Sequence, residues 1–168
     1  TVAAVAACLE ALPTVPVAFD PVMVAASGAV LADAETIAGF ERLMRLATVV
    51  TPNLPELAAL TRRPVDDGAA IEAAARTLAA RHGCVVLAKG GHEAAADVTD
   101  RLVMTDGGIE RWVSSRIDSR HTHGTGCTLA SGIATGLGQG RPLTEAIGAA
   151  RDFVRAAILA APGYGAGH

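Results

Sequence analysis

The segment His121-Thr122-His123-Gly124-Thr125-Gly126-Cys127-Thr128 runs directly into an apolar stretch, Leu129 to Leu137. A glycine-rich turn that opens a helix aims several unpaired backbone N–H groups at one point, at the positive end of the helix dipole. Such a turn is an anion site, and phosphate is its usual anion. Cys127 falls in the first turn, a position at which the dipole favours thiolate over thiol. An oxyanion cradle with a base beside it implies phosphoryl transfer to an alcohol. Other chemistry is open to the same thiol. It could attack a carbonyl with His121 or His123 as partner, join those histidines around zinc, or be a small core residue. Zinc has no further convincing ligand nearby, so the base ranks first and the nucleophile second. Gly124 and Gly126 supply positive φ angles or a close backbone approach. Thr125 and Thr128 add hydroxyl contacts or cap the helix.

Four more polar residues follow buried stretches. Lys89, before Gly90-Gly91, could neutralise a transferred phosphoryl group as a point charge, or be an exposed loop lysine. Asp20 and Glu56 could hold Mg²⁺, mainly through waters, because Mg²⁺ dehydrates reluctantly. Their simpler roles are a turn residue before Pro21 and a glutamate favoured at a helix start. Asn53 is an N-cap candidate that could also face a ligand.

The elements that must position these groups alternate regularly. Apolar helices are expected over Val2–Leu12 (ended by Pro13), Ala34–Leu46 and Pro55–Leu60. A long helix spans Gly68–His82, capped by Asp66, and two more cover Thr128–Leu137 and Leu143–Ala160. Strands are expected at Val15–Phe19, Thr48–Thr51 and Cys84–Ala88, with a hairpin of Leu102–Thr105 and Glu110–Ser114 about Asp106-Gly107-Gly108. Strands alternating with helices imply an α/β fold, a mostly parallel sheet covered on both faces. Ligands in such sheets bind beyond the carboxyl ends of the strands. Asp20, Asn53 with Glu56, and Lys89 each follow a different strand, so they should converge with the glycine turn in one cleft.

Composition narrows the classes. The chain has 168 residues, which fits one domain, and 51% are hydrophobic but only 3% aromatic, so the core must be mostly Ala, Val, Leu and Ile. The net charge of −3 with scattered basic residues gives no stripe for nucleic acid. No apolar run reaches membrane-spanning length. Three widely spaced cysteines are not a disulfide framework, which suits a cytoplasmic setting. Cys8 and Cys84 lie in apolar stretches and read as core. Trp112, Phe153 and Tyr164 read as core or lid packing. The opening at Thr1 in mid-helix and the tail Gly163–His168 read as those of a fragment or processed product.

Asp20-Pro21-Val22-Met23, Thr51-Pro52-Asn53-Leu54-Pro55-Glu56, Lys89-Gly90-Gly91-His92 and the Cys127 motif occur in that order. Together they resemble the hydroxymethylpyrimidine/phosphomethylpyrimidine kinases of thiamine biosynthesis, in the ribokinase-like superfamily. The resemblance implies a three-layer α/β/α fold and two ATP-dependent steps at one site, alcohol to monophosphate to diphosphate. It makes Cys127 the general base. The N–H groups of Gly124 to Cys127 become the anion hole, and Lys89 an ATP-phosphate contact. Asp20, Asn53 and Glu56 organise Mg²⁺, and Val22 lines the pyrimidine pocket. It also implies a homodimer, and an N-terminal strand and glycine-rich segment with no counterpart here, so that a sheet edge and apolar surface would be left uncovered. A pyridoxal kinase, a catalytically dead ATP-binding module and a cysteine hydrolase are the alternatives, the last giving Lys89, Asp20 and Glu56 no role.

Overall fold

A computed structural model describes residues 1–12, 14–23, 32–92 and 96–162. Pro13, Tyr164 and the tail lie outside the described residues. The elements run α1 (Val2–Glu10), β1 (Ala18–Phe19), α2 (Ala34–Leu46), β2 (Val49–Val50), α3 (Leu54–Thr61), α4 (Gly68–His82), β3 (Val85–Ala88), a 3₁₀ turn (Gly90–His92), β4 (Asp97–Val103), β5 (Ile109–Ser115), α5 (Thr125–Gly138) and α6 (Leu143–Leu159).

The strands form one five-stranded sheet in the order β1-β2-β3-β4-β5. β1, β2 and β3 are parallel, and the β4–β5 hairpin continues the sheet antiparallel. The sheet is therefore mixed, parallel where helices cross over and antiparallel from β3 onward, with the Asp106-Gly107-Gly108 turn closing the β4–β5 hairpin. β1 ends the strand order, so no described strand pairs with its outer edge.

Alternation along the strands assigns the two faces. Val50, Val86, Ala88 and Val103 pack with Met44, Leu57, Ile71 and Leu78 of α2, α3 and α4. Val49, Leu87 and Leu102 pack on the other face with Leu129 and Ile133 of α5 and Ile147 of α6. Helices thus cover both faces, and the largest side chains in the middle are Leu, Ile, Val and Met.

Local chemistry sets the helix ends. Asp67, not the adjacent Asp66, caps α4: its carboxylate accepts the Ala70 N–H at 2.8 Å. An N-cap side chain bonds the N–H three residues on, and starting at Gly68 selects Asp67. Gly83 at φ +66° closes the same helix in the left-handed conformation that glycine adopts without strain. Cys8 is exposed, contrary to its apolar surroundings, because α1 buries only Ala6. Phe153 also faces outward, 65% exposed.

The two helices on the α5 face approach closely through small residues. A Cβ on Gly136 would lie 2.7 Å from the Ala146 Cβ and 3.1 Å from its Cα, and one on Gly132 would lie 2.9 Å from the Ala150 Cβ. Gly136→Ala should gain up to about 1 kcal/mol of helix propensity. Overpacking against a neighbouring backbone costs about 1–3 kcal/mol and should win. The expected outcome is a net loss of roughly 1–2 kcal/mol, a drop in melting temperature of a few degrees by calorimetry. An unchanged or raised melting temperature would show that α5 and α6 are not so closely apposed.

Candidate active site

Three strand ends and one helix start meet at a single point. β1 ends at Phe19, and the next residue is Asp20. β3 ends at Ala88, and the next is Lys89. The Lys89 Nζ lies 2.7 Å from the Asp20 Oδ1, with the two side chains only 15% and 11% exposed. β2, between them, contributes Thr51, fully buried, whose hydroxyl donates to the same Asp20 oxygen at 3.0 Å. Thr51 stands in the Thr51-Pro52-Asn53 motif with no role legible there, and a hydroxyl just past a buried strand is the only sequence signal for this contact.

The glycine motif closes on this pair. α5 begins at Thr125, three residues earlier than the apolar periodicity suggests, so Gly126 and Cys127 lie inside its first turn. Gly124 is the N-cap at φ +77°, which a side chain would strain. Gly126 is the point of contact. A Cβ there would lie 3.2 Å from the Lys89 Nζ and 3.4 Å from the Asp20 Oδ2. No side chain caps α5. Helix geometry gives the Gly126 and Cys127 N–H groups no carbonyl one turn back, so both are open to an acceptor beside Lys89.

Thr125 and Thr128 do not cap the helix. Their hydroxyls donate to the Thr122 and Gly124 carbonyls, each at 2.9 Å. Cys127 is exposed, whereas Cys84 is buried and burial pushes its thiol up to about 11. Val22 is half-buried two residues past Asp20, its N–H donating to the Asp20 carbonyl at 2.9 Å. It thus sits beside the charged pair.

Asn53 and Glu56 form a reciprocal capping box at the start of α3. The Asn53 N–H donates to Glu56 Oε2 and the Glu56 N–H to Asn53 Oδ1, both at 2.8 Å. Asn53 also bridges to Lys89 across the sheet, and the Lys89 N–H donates to the Pro52 carbonyl at 2.9 Å. Glu56 is only 5% exposed. Burial raises its pKa, as does the Asp20 charge; the Asn53 N–H, Lys89 and the Met23 N–H act the other way. A buried carboxylate within the field of both Asp20 and Lys89 belongs to the same site.

No cluster of three or more His, Cys, Asp or Glu side chains suited to a metal is present among the described residues. Asp20 and Glu56 fit Mg²⁺, which needs only one or two carboxylates when phosphates and waters complete its shell. Asp20 Oδ1 is engaged by Lys89 and Thr51, while Oδ2 faces Gly126. No helix of the described residues is long and apolar enough to cross a membrane.

The chain has recognisable relatives. The family model described as phosphomethylpyrimidine kinase matches residues 1–168. The chain is 46% identical over 170 residues to the thiamine biosynthesis bifunctional protein ThiED of Geobacter sulfurreducens, covering 100% of this chain and 34% of that protein. It is 45% identical over 154 residues to the hydroxymethylpyrimidine/phosphomethylpyrimidine kinase of Streptomyces coelicolor, covering 90% of this chain and 56% of that enzyme. It therefore spans about half, or less, of the curated relatives it matches. The pyridoxal kinase of Bacillus subtilis in an ADP complex superposes with a TM-score of 0.78 at 29% identity, over 94% of this chain and 58% of that one. The phosphomethylpyrimidine kinase of Clostridium difficile superposes with a TM-score of 0.77 at 26% identity, over 94% and 63%. The fold is thus of the ribokinase-like α/β type.

Two expected outcomes test this geometry. Gly126→Ala should leave the fold intact, because the Cβ meets the movable end of Lys89 and alanine favours a helix. It should weaken nucleotide binding at least tenfold by titration calorimetry; unchanged affinity would remove Gly126 from the anion site. Glu56→Gln preserves a capping box, since glutamine serves at that position. The folded-state pKa of Glu56 is raised, so the folded chain holds more protons than the unfolded one above about pH 4.5, and stability from this group falls as pH rises. Glu56→Gln should therefore raise the melting temperature at pH 7, and the gain should shrink as pH approaches 4.5. A variant less stable at pH 7 than the parent would overturn the burial argument.

Proposed function

The chain belongs to the phosphomethylpyrimidine kinase family, and from that premise we propose that it transfers the γ-phosphoryl group of ATP to hydroxymethylpyrimidine and then to its monophosphate. The observation that carries the reading is the meeting of Lys89, Asp20 and Gly126 at the open first turn of α5. That arrangement is a cradle for a phosphoryl group, with a fixed cation and backbone donors on one side and an exposed thiol one residue on.

Each residue has a task in this scheme. The N–H groups of Gly124, Gly126 and Cys127 hold the equatorial oxygens of the transferring group, the Thr125 N–H being taken by the Thr122 carbonyl at 3.3 Å. Lys89 offsets their charge as the β,γ-bridge bond breaks, and Thr125 and Thr128 line the phosphate side. Cys127, as general base, takes the proton of the substrate hydroxyl while that oxygen bonds to phosphorus and ADP leaves. Asp20 and Glu56, with Asn53, would hold Mg²⁺ through its waters, and the ion would supply positive charge to offset that of the leaving group. Val22 sits beside Asp20 where the alcohol's ring would pack. Residues 1–168 act as one domain, the nucleotide-binding and catalytic half of the kinase. A homodimer in the cytoplasm is part of the same reading, the latter supported by three unpaired cysteines.

Pyridoxal is the competing substrate, favoured by the superposition on the Bacillus subtilis enzyme. The test is product mass spectrometry with Mg-ATP and, separately, hydroxymethylpyrimidine, its monophosphate and pyridoxal. A pyrimidine mono- or diphosphate is expected. Pyridoxal phosphate alone would replace the substrate, and no product from any alcohol would reduce the chain to a nucleotide-binding module. Cys127→Ala should lower turnover about 10²–10⁴-fold, the range for a lost general base, with ATP affinity nearly unchanged. Near-normal turnover in that variant would remove the thiol from the base role.

A further inference from the structure

A buried ion pair outside the phosphate cradle, Asp100 with Arg151, bonds the backbone next to Lys89. The Asp100 Oδ1 accepts the Gly90 N–H at 2.8 Å. Its other oxygen, Oδ2, accepts the Arg151 Nε–H at 2.7 Å. Asp100 and Arg151 are 8% exposed each, and they join β4 to α6 across 51 residues. The Arg151 guanidinium is itself located by three contacts. It lies over the Trp112 ring at 5.8 Å, and its Nη2 reaches the Ser114 Oγ at 3.3 Å and the Trp112 carbonyl at 3.5 Å. Trp112 is the cross-strand partner of Asp100.

The consequence is at Lys89. The peptide before its Cα is tied to β2, because the Lys89 N–H donates to the Pro52 carbonyl. The peptide after its Cα is tied to Asp100 through the Gly90 N–H. With both flanking peptide planes fixed, the direction of the Cα–Cβ bond is fixed, and the side chain leaves the backbone toward Asp20 and Gly126. A flexible lysine carries much rotamer entropy, so a fixed base contributes to preorganisation. A carboxylate accepting a backbone N–H is also a strong, short hydrogen bond, well suited to holding a turn.

We propose that Asp100, braced by Arg151, is the positioning residue for Lys89, setting where its ammonium meets the phosphates of ATP. This rests on the reading of Lys89 as the phosphate contact. Asp100 acts through the Gly90 peptide, whose N–H its Oδ1 accepts.

The experiment compares Asp100→Ala, Asp100→Asn and the pair Asp100→Ala/Arg151→Met, each alone and combined with Lys89→Ala. Asparagine retains an oxygen for the Gly90 N–H but not the charge that Arg151 needs; alanine removes both. Asp100→Ala should raise the KM for ATP at least fivefold and leave that for the pyrimidine unchanged. Asp100→Asn should recover most of the loss. The double variant leaves no buried charge stranded, so it guards against simple unfolding and should show the same rise in KM. In the Lys89→Ala background the Asp100 effect should vanish, because two changes acting through one group are not additive. A purely structural Asp100 would give a different pattern. Both single variants would strand Arg151, lose melting temperature alike and lower kcat through a smaller active fraction, with KM unmoved. That pattern, or full additivity with Lys89→Ala, overturns the proposal. ATP affinity by calorimetry separates the two readings. A parent chain that binds ATP without forming product overturns the kinase activity alone, and the Asp100 variants are then compared by their ATP dissociation constants. A parent chain that binds no ATP overturns both.

Discussion

Opposite charges 69 residues apart in the chain lie almost out of water at the ends of β1 and β3. Removing an ammonium and a carboxylate from water costs several kcal/mol each, and their attraction offsets this only with good geometry and added hydrogen bonds. Asp20 has both, at 2.7 Å from Lys89 and with the Thr51 hydroxyl on the same oxygen. Lys89 is less completely satisfied. An ammonium has three donors, and among the described residues its Nζ donates to Asp20 alone. A pair arranged this way favours an anion as third member. The open N–H groups of α5 offer that anion its remaining partners.

That pair can form only if the strands keep their register. β1 and β2 pair over two residues each, Ala18 with Val49 and Phe19 with Val50, too few for hydrogen bonds to fix alignment. Burial on both faces does so instead. Val49 and Val50 are both fully buried, in opposite core clusters, and a slip of one residue would send each into the wrong layer. The same holds on β1, where Phe19 and Ala18 pack against opposite clusters, and a slip there would move Asp20 about 3.3 Å along the sheet, away from contact with Lys89. Packing of Val, Leu and Ile against two helical layers thus sets the distance between two charged groups that it does not touch.

Much of this was legible in the sequence, for physical reasons that also mark where legibility ended. Gly68–His82 reads correctly because local groups terminate it, an aspartate at one end and Gly83 at the other. The convergence of Asp20, Asn53 and Lys89 is legible because each follows a short apolar run, and parallel strands end on one edge of the sheet. The adjacent Asp66 and Asp67 present identical chemistry to a reader, and only the first helical residue separates them. β1 is shorter than Val15–Phe19 because the Val17 N–H donates to the Thr48 hydroxyl instead of a strand carbonyl. β4 begins at Asp97, before its clearly apolar part, because its first residues pair with β5 through backbone alone. Asp100 was missed altogether. Its partner lies on another element, and no local period announces an ion pair that distant.

Several features of the site work against folding, and they coincide. Gly126 occupies a first helical turn where alanine would be more favourable by up to about 1 kcal/mol. Glu56 is a carboxylate held in a place that favours its neutral form. Lys89 and Asp20 are charges kept from water. A helix start could be capped by a threonine, yet Gly124 stands at the N-cap and the neighbouring hydroxyls turn to carbonyls. Each departure alone has a local explanation, such as a tight turn or a helix cap. Their meeting within one contact shell does not, because independent accidents of packing have no reason to gather at the ends of three strands. A negatively charged ligand would relieve the part of this conflict that lies at Lys89 and the first turn of α5, though not that of the buried carboxylates. It accepts the free N–H groups, completes the lysine's donors and needs the space that a side chain at Gly126 would fill. Stability given up at one place for an anion is what a phosphate-binding site requires.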